Sequence, residues 1–271
     1  MSDTFDRLGY GPYKLEDPEQ CAAAVAHALD VGYRHIDTAQ GYDNEASVAA
    51  GIERSGVDHD DLFVATKLST DNLGYDDVIE TARESCERLG VDTIDLLYVH
   101  WPIRTYDPAE TLPALDHLVE EGVIEHVGLS NFRPDQLEAA IDRLDSPVFA
   151  HQVECHPLLQ QRELRELAIE DDHWLVAYSP IARNRVADDD TLQEIADGYD
   201  ASPAQVSLAW LLSKEKVAPI PKAASFDHIE DNWAVRDLDL DDDPLARIDE
   251  IERDERIVDF EEAPWNEAGN V

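Results

Sequence analysis

The sequence predicts an α/β protein, a (β/α)8 or TIM barrel, built as a single domain over residues 1–271. Three observations predict it. Strand-like apolar runs and helical periodicity alternate eight times along 271 residues, a length that suits one large barrel. The strand-like runs are mostly continuous rather than alternating, as in a parallel sheet buried on both faces. No G-x-G-x-x-G follows a strand at the start of a helix, which argues against a doubly wound open sheet.

The elements follow in order. "RLGYG" (7–11) is the first strand. "PEQCAAAVAHALDVG" (18–32) has apolar residues at helical spacing and stops at glycine. "YRHID" is a short strand, and "NEASVAAGIERSG" a helix. "DLFVATKL" is a strand rich in β-branched and aromatic residues. "YDDVIETARESCERLG" is a helix with a glycine stop, followed by the strand "TIDLLYVHW". "PAETLPALDHLVEEG" is a helix and "IEHVGLS" a strand. "RPDQLEAAIDRL" is a helix and "PVFAHQVE" a strand. "QRELRELAIEDD" is a helix and "WLVAYSP" a strand. Helices over "DTLQEIADGYD" and "SPAQVSLAWLLSKEK" precede the last strand, "VAPIPK". "FDHIEDNWAV" and "DDPLARIDEIERDER" close the chain as helices. An acidic segment from about residue 256 to 271 is expected to pack on the barrel or trail from it.

Charge narrows the function classes. The chain carries 61 acids against 21 bases, a formal net charge of −40, and only five of the bases are lysine. Phosphates would be repelled, so no nucleic-acid partner is expected. The acids interleave with regular apolar periodicity, unlike a disordered acidic tail. Such a surface suits a high-salt cytoplasm, where ions screen self-repulsion. No apolar run is long enough to span a bilayer and no signal pattern opens the chain, so a cytoplasmic protein without a membrane partner is expected. Three cysteines, Cys21, Cys86 and Cys155, argue against a disulfide framework. In "HQVECHP", His151, Cys155 and His156 invite a zinc reading, but no fourth ligand stands at a standard spacing and no metal is expected.

In a barrel, the C-terminal strand ends and the loops after them build the site. Polar residues fall there strand after strand: Asp37 with Tyr42 in the following loop, Lys67, His100, Ser130 and Asn131, Gln152, Tyr178 and Ser179, and Lys222. An Asp–Lys pair at a rim is by itself commonly a structural ion pair, and a strand-end histidine commonly a satisfied one. Their joint placement on consecutive strands points to chemistry. A tyrosine with an ordinary pKa near 10 is a poor acid, and a nearby cation lowers that value. Lys67 is expected to be that cation, with Asp37 orienting it and His100 orienting a substrate oxygen. Such a set protonates a developing alkoxide, which amounts to reducing a carbonyl.

The sequence resembles the aldo-keto reductase superfamily. "GYRHIDTAQGYDNE", "VATKL", "DLLYVHWP", "VGLSNF", "HQVECHP", "AYSPIARNRV" and "APIPKAASFDHIEDN" are similar to the family's blocks, in the family's order. The resemblance implies a catalytic tetrad of Asp37, Tyr42, Lys67 and His100, with Tyr42 as proton donor. It implies hydride from a nicotinamide cofactor. Ser130, Asn131 and Gln152 match the positions that hold the carboxamide, and Tyr178 the aromatic that stacks on the ring. Ser179, Pro180 and Ile181 begin a loop along the pyrophosphate, and Asn232 matches an adenine contact. Tyr13 and Trp101 match walls of the substrate pocket.

Two departures from the family pattern carry expectations. In the phosphate-recognition segment Lys222 is kept, while Ala223 and His228 replace the usual serine and arginine. Arginine is a permanent forked cation and histidine mostly neutral, so NADPH is expected with NADH tolerated. Pro12 replaces a common threonine and removes one backbone donor near the cofactor. Short connections at "WPIRTYDP" and "ARNRVADDD" imply an open site for small aldehydes, dicarbonyls or sugar-derived ketones. They resemble small prokaryotic members acting on diketo-sugar acids and methylglyoxal-like carbonyls. A monomer is expected. The alternatives are a nicotinamide-binding regulatory protein with little turnover and an aldolase using Lys67 as a Schiff base.

Overall fold

In the computed structural model, which describes residues 5–267, seven parallel strands form one sheet hydrogen-bonded in chain order. They are β1 (His35–Asp37), β2 (Phe63–Leu68), β3 (Ile94–Val99), β4 (Ile124–Ser130), β5 (Val148–Glu154), β6 (Trp174–Tyr178) and β7 (Val217–Pro219). Around them run α1 (Pro18–Val31), α2 (Glu45–Ser55), α3 (Tyr75–Leu89), α4 (Thr111–Glu120), α5 (Pro134–Ile141) and α6 (Arg162–Glu170). Then come α7 (Asp190–Tyr199), α8 (Pro203–Ser213), α9 (Phe226–Trp233), α10 (Asp242–Asp249) and α11 (Pro264–Glu267). Local chemistry sets the helix ends. The Asp17 carboxylate caps α1 through the amide of Gln20, and Ser202 with Gln205 forms a capping box on α8. Gly56 and Gly90 end α2 and α3 in the left-handed conformation.

The expected first strand, 7–11, makes a single isolated bridge, Tyr10 with Ile36. It still takes the eighth place in the ring, and β1 is therefore the second of the expected strands. On one side Tyr10 N–H donates to His35 O (2.8 Å) and Asp37 N–H to Tyr10 O (3.0 Å). On the other, Gly9 N–H donates to Pro219 O (3.0 Å) and Gly11 N–H to Pro221 O (3.2 Å). A side chain at Gly9 has no room, because its Cβ would lie 2.7 Å from both His35 Nδ1 and Ile220 Cγ2.

The helix expected over 242–256 stops at Asp249. Beyond it the chain turns onto the loop between β5 and α6. Asp254 bridges Leu159, and Glu255 N–H donates to Leu158 O (2.8 Å), so tertiary partners replace the helical ladder. The segment that follows lies against the barrel mouth. Phe260 and Trp265 pack on Trp101 at 4.8 and 5.5 Å between ring centres, and Arg133 donates to Pro264 O (2.8 Å). The last four residues of the expected acidic segment lie outside the described residues. "ARNRVADDD" forms tight 3-10 turns over Ala182–Asp188, an element the periodicity did not predict.

Two apolar cores result. One fills the space between sheet and helices. The other is the barrel interior, built from Phe63, Ala65, Leu96, Tyr98, Ala150, Val176, Ala218 and Ile220. Phe5 plugs its lower end, with ring centres 4.9 Å from Phe63, 5.2 Å from Phe149 and 5.0 Å from Trp174. The two-residue strand period then carries each inward column up to a polar residue: Phe63, Ala65, Lys67 on β2; Leu96, Tyr98, then His100 just past β3; Ala150, Gln152 on β5.

Candidate active site

At the C-terminal rim these columns open into a cavity of about 680 Å³. Its lining includes Tyr13, Asp37, Tyr42, His100, Trp101, Ser130, Asn131, Gln152, Tyr178, Ser179, Pro180, Ile181 and Lys222. Lys67 sits directly behind this surface, fully buried. His228 and Asn232 lie on α9, outside the lining.

Asp37 is the hub. Lys67 Nζ donates to Asp37 Oδ1 in a very short ion pair and to Thr38 O (2.7 Å). Gln152 Nε2 donates to the other carboxylate oxygen (2.7 Å). Lys67 Nζ also lies 5.1 Å from the ring centre of Tyr42 and 5.9 Å from that of Tyr98. Burial pulls the Lys67 pKa below its ordinary value, and the Asp37 carboxylate opposes the fall. An ammonium gripped this way is a poor Schiff-base nucleophile.

Tyr42 is carried by a single 3-10 turn, Gln40–Tyr42, closed by left-handed Asp43. Its ring is 5.0 Å from Tyr13 and 5.7 Å from His100. The expected lowering of the Tyr42 pKa is not found. Burial raises it well above the ordinary value, and the Asp37 charge adds to the rise. The rise stands although the Lys67 ammonium, paired with Asp37, lies 5.1 Å from the Tyr42 ring centre. Burial, then the Lys67 charge, pushes the His100 pKa down to about 3, so the imidazole is neutral at physiological pH.

The neighbouring polar groups form one network. Ser130 Oγ donates to Gln152 O (2.9 Å). Asn131 Nδ2 donates to His100 O (2.9 Å) and to Ser130 Oγ (2.9 Å), while its Oδ1 accepts from Tyr178 OH (2.9 Å). Asn131 takes φ 64°, and after β6 Ser179, Ala182, Arg183 and Asn184 are all left-handed, with φ from 47° to 71°. Four such residues within six positions are a costly backbone, held along one cavity wall.

Sequence reasoning missed the residues that hold the Tyr42 loop. Gln40 Nε2 donates to Thr81 O (3.0 Å) and Ser85 Oγ (3.1 Å), and its Oε1 accepts from Ser69 N–H (2.8 Å). Asn44 ties Thr38 (2.6 Å) to the carbonyl of Pro12 (3.0 Å). Buried Glu45 accepts from Thr66 Oγ1 (2.6 Å) and Arg88 Nε (2.7 Å). Gln40, Asn44 and Glu45 all stand inside the quoted "GYRHIDTAQGYDNE", and the family match there was the one available signal. Lys14, Arg183, Val258 and Phe260 also line the cavity without having been singled out.

Cys155 is buried, with its thiol pushed up to about 12, and its Sγ contacts Gln160 O (3.7 Å). His156 Nε2 instead pairs with Glu154 (2.9 Å). Among the described residues no group of three or more His, Cys, Asp or Glu is placed to hold a metal ion, and no helix is long and apolar enough to cross a membrane.

The Aldo/keto reductase family model matches residues 7–253. The chain belongs to this family. Reduction of carbonyl groups to alcohols is therefore its chemistry, and this aldo/keto reductase is an oxidoreductase. The 9,11-endoperoxide prostaglandin H2 reductase of Trypanosoma cruzi is 36% identical over 254 residues, covering 93% of this chain and 89% of that protein. The glyoxal reductase of Bacillus subtilis is 35% identical over 250 residues, covering 92% and 90%. The crystal structure of an aldo-keto reductase enzyme from a Medee basin deep-sea metagenome library superposes with a TM-score of 0.90 at 31% identity, covering 94% of each chain.

Proposed function

We propose that this reductase converts small aldehydes, dicarbonyls or sugar-derived ketones to alcohols, with Tyr42 as the proton donor. The observation that carries the reading is the convergence of Asp37, Tyr42 and His100 on one cavity, with Lys67 held behind them by Asp37. The family's nicotinamide cofactor fits the donor set. Ser130, Asn131 and Gln152 suit a carboxamide, half-buried Tyr178 offers a ring face, and the strained turn Ser179–Asn184 with Lys222 suits phosphates. When bound, that cofactor supplies the hydride that adds to the carbonyl carbon.

The chain's own residues supply the rest. Neutral His100 donates a hydrogen bond to the carbonyl oxygen without carrying a competing charge. Tyr42 keeps its proton through neutral pH, because burial disfavours the phenolate. It releases that proton only as negative charge builds on the substrate oxygen, and the O–H bond of the alcohol forms as the phenolic O–H breaks. The ammonium of Lys67 then lies close to the new phenolate. Asp37 keeps Lys67 charged against the cost of burial. Tyr13, Trp101 and Phe260 give the mouth apolar walls.

NADPH is used and NADH tolerated. Lys222 lines the cavity, but Ala223 is buried and His228 stands off the lining. The protein acts as a monomer in the cytoplasm of a salt-rich cell, a reading supported by its net charge of −40. The test is a panel of aldehydes and α-dicarbonyls in molar KCl, with NADPH and NADH in parallel. The expected result is turnover that falls by about three orders of magnitude in Tyr42→Phe, the scale of one general acid. Full activity in Tyr42→Phe refutes the mechanism.

A further inference from the structure

We infer that Gln40 is a positioning residue for the reaction: its side-chain amide holds the proton donor, Tyr42, in place against the substrate oxygen. This rests on the Tyr42 reading above and deepens it.

The first observation is how little of the turn supports itself. Gln40–Tyr42 is one 3-10 turn. Its backbone bonds, Tyr42 N–H to Ala39 O (3.1 Å) and Asp43 N–H to Gln40 O (3.2 Å), close within the turn. They shape it but do not tie it to the barrel. Gly41 at its centre has no side chain, and a Cβ there would meet nothing within 4 Å.

The second observation is the space behind the turn. A separate cavity of about 500 Å³ has a lining that includes Gln40, Gly41, Glu45, Ser69, Thr81 and Arg88. Gly41 lines this cavity and the active-site cavity alike. The backbone that carries Tyr42 is thus a thin wall between two cavities, where close-packed side chains would otherwise back it.

The third observation is what crosses that space. The Gln40 amide reaches two separate elements. Nε2 donates to Thr81 O (3.0 Å) and Ser85 Oγ (3.1 Å) on α3, and Oε1 accepts from Ser69 N–H (2.8 Å) just past β2. Ser85 Oγ donates its own proton to Glu45 (3.3 Å) and accepts from Arg88 (3.0 Å), so the group facing it from position 40 must be a donor. Asn44 fixes the exit of the turn on Thr38 and Pro12, and Gln40 fixes its entry on α3 and β2. Gln40 does not line the active-site cavity, so it acts through Tyr42, two residues on. A shift of about 1 Å in a reacting group costs about a hundredfold in rate.

The test measures kcat and KM for glyoxal, and the cofactor's dissociation constant by quenching of protein fluorescence. The proteins are wild type, Gln40→Ala and Gln40→Glu, each with and without Tyr42→Phe. Gln40→Ala lowers kcat about tenfold to a hundredfold and leaves KM and the dissociation constant within about twofold. Gln40→Glu fills the same space but sets a carboxylate against Thr81 O, and kcat falls as far. In the Tyr42→Phe background neither substitution lowers turnover further, because no proton donor is left to misplace. An unchanged kcat in Gln40→Ala, an equal loss in both backgrounds, or a loss carried by KM or by cofactor binding overturns this inference alone. Full turnover by Tyr42→Phe overturns the reading on which it rests, and the inference with it.

Discussion

The Gly128→Ala substitution isolates one contact under the active site. Gly128 on β4 pairs in register with Tyr98 on β3, and both face the barrel interior. A Cβ at position 128 would lie 2.4, 2.6 and 2.9 Å from Cδ1, Cε1 and Cγ of the Tyr98 ring. Ordinary contact begins near 3.4 Å, so the ring must retreat by about 1 Å. It has no free space, because Tyr98 is fully buried with the Lys67 ammonium 5.9 Å from its centre. Overpacking of this kind costs about 1–3 kcal/mol, and the severity of the overlap favours the upper end. Gly→Ala in a strand returns about 0.5–1 kcal/mol, leaving a net loss of about 2 kcal/mol and a fall in Tm of about 4–8 °C. Tyr98→Leu removes the obstruction, and the Tyr98 hydroxyl has no hydrogen-bond partner to lose. In that background Gly128→Ala is close to neutral, giving a coupling of about 2 kcal/mol. Urea unfolding of the four proteins in constant molar KCl measures it. Equal cost of Gly128→Ala in both backgrounds refutes the packing account.

Three further outcomes are expected. With a net charge of −40, the protein gains stability from dilute buffer to molar KCl, and a melting temperature indifferent to salt contradicts the self-repulsion account. Buried Glu154 accepts from Ile257 N–H (2.7 Å), Val258 N–H (2.8 Å) and His156 Nε2 (2.9 Å), anchoring the segment that brings Val258 and Phe260 to the cavity. Glu154→Ala should raise KM about tenfold with a smaller change in kcat and expose residues 254–267 to proteolysis; unchanged kinetics and cleavage remove that role. Burial pushes the pKa of His151 down to about 3 and of His173 down to about 4, against 6.5 in the unfolded chain. Below pH 6.5 the unfolded chain takes up these protons while the native state refuses them. Each histidine therefore removes stability by up to about 1.4 kcal/mol per pH unit as pH falls towards 4. His173→Gln should flatten the slope between pH 6.5 and 4.5, and an unaltered slope counts against it.

The strands were legible because a sheet buried on both faces demands continuous apolar runs, and the rim residues because each run ends in one polar side chain. Asp37, Lys67 and His100 could be read this way, and Tyr42 followed from its place after Asp37. What could not be read is set by partners distant in sequence. The end of α10 at Asp249 depends on Leu158 and Leu159, and the position of Phe260 depends on Glu154 and Trp101. The Tyr42 pKa was misjudged for a similar reason. Spacing places a lysine nearby but does not say how deeply the tyrosine is buried, and burial dominates.

The closure of the ring by residues 7–11 bears on how the polypeptide is made. Gly9 bonds to Pro219 and Gly11 to Pro221, across some of the longest sequence separations in the molecule. Segment 7–11 can therefore close the ring only once Pro219 and Pro221, far later in the chain, have been made. Until then both margins of the growing sheet are open, and each offers unpaired amides to any passing strand.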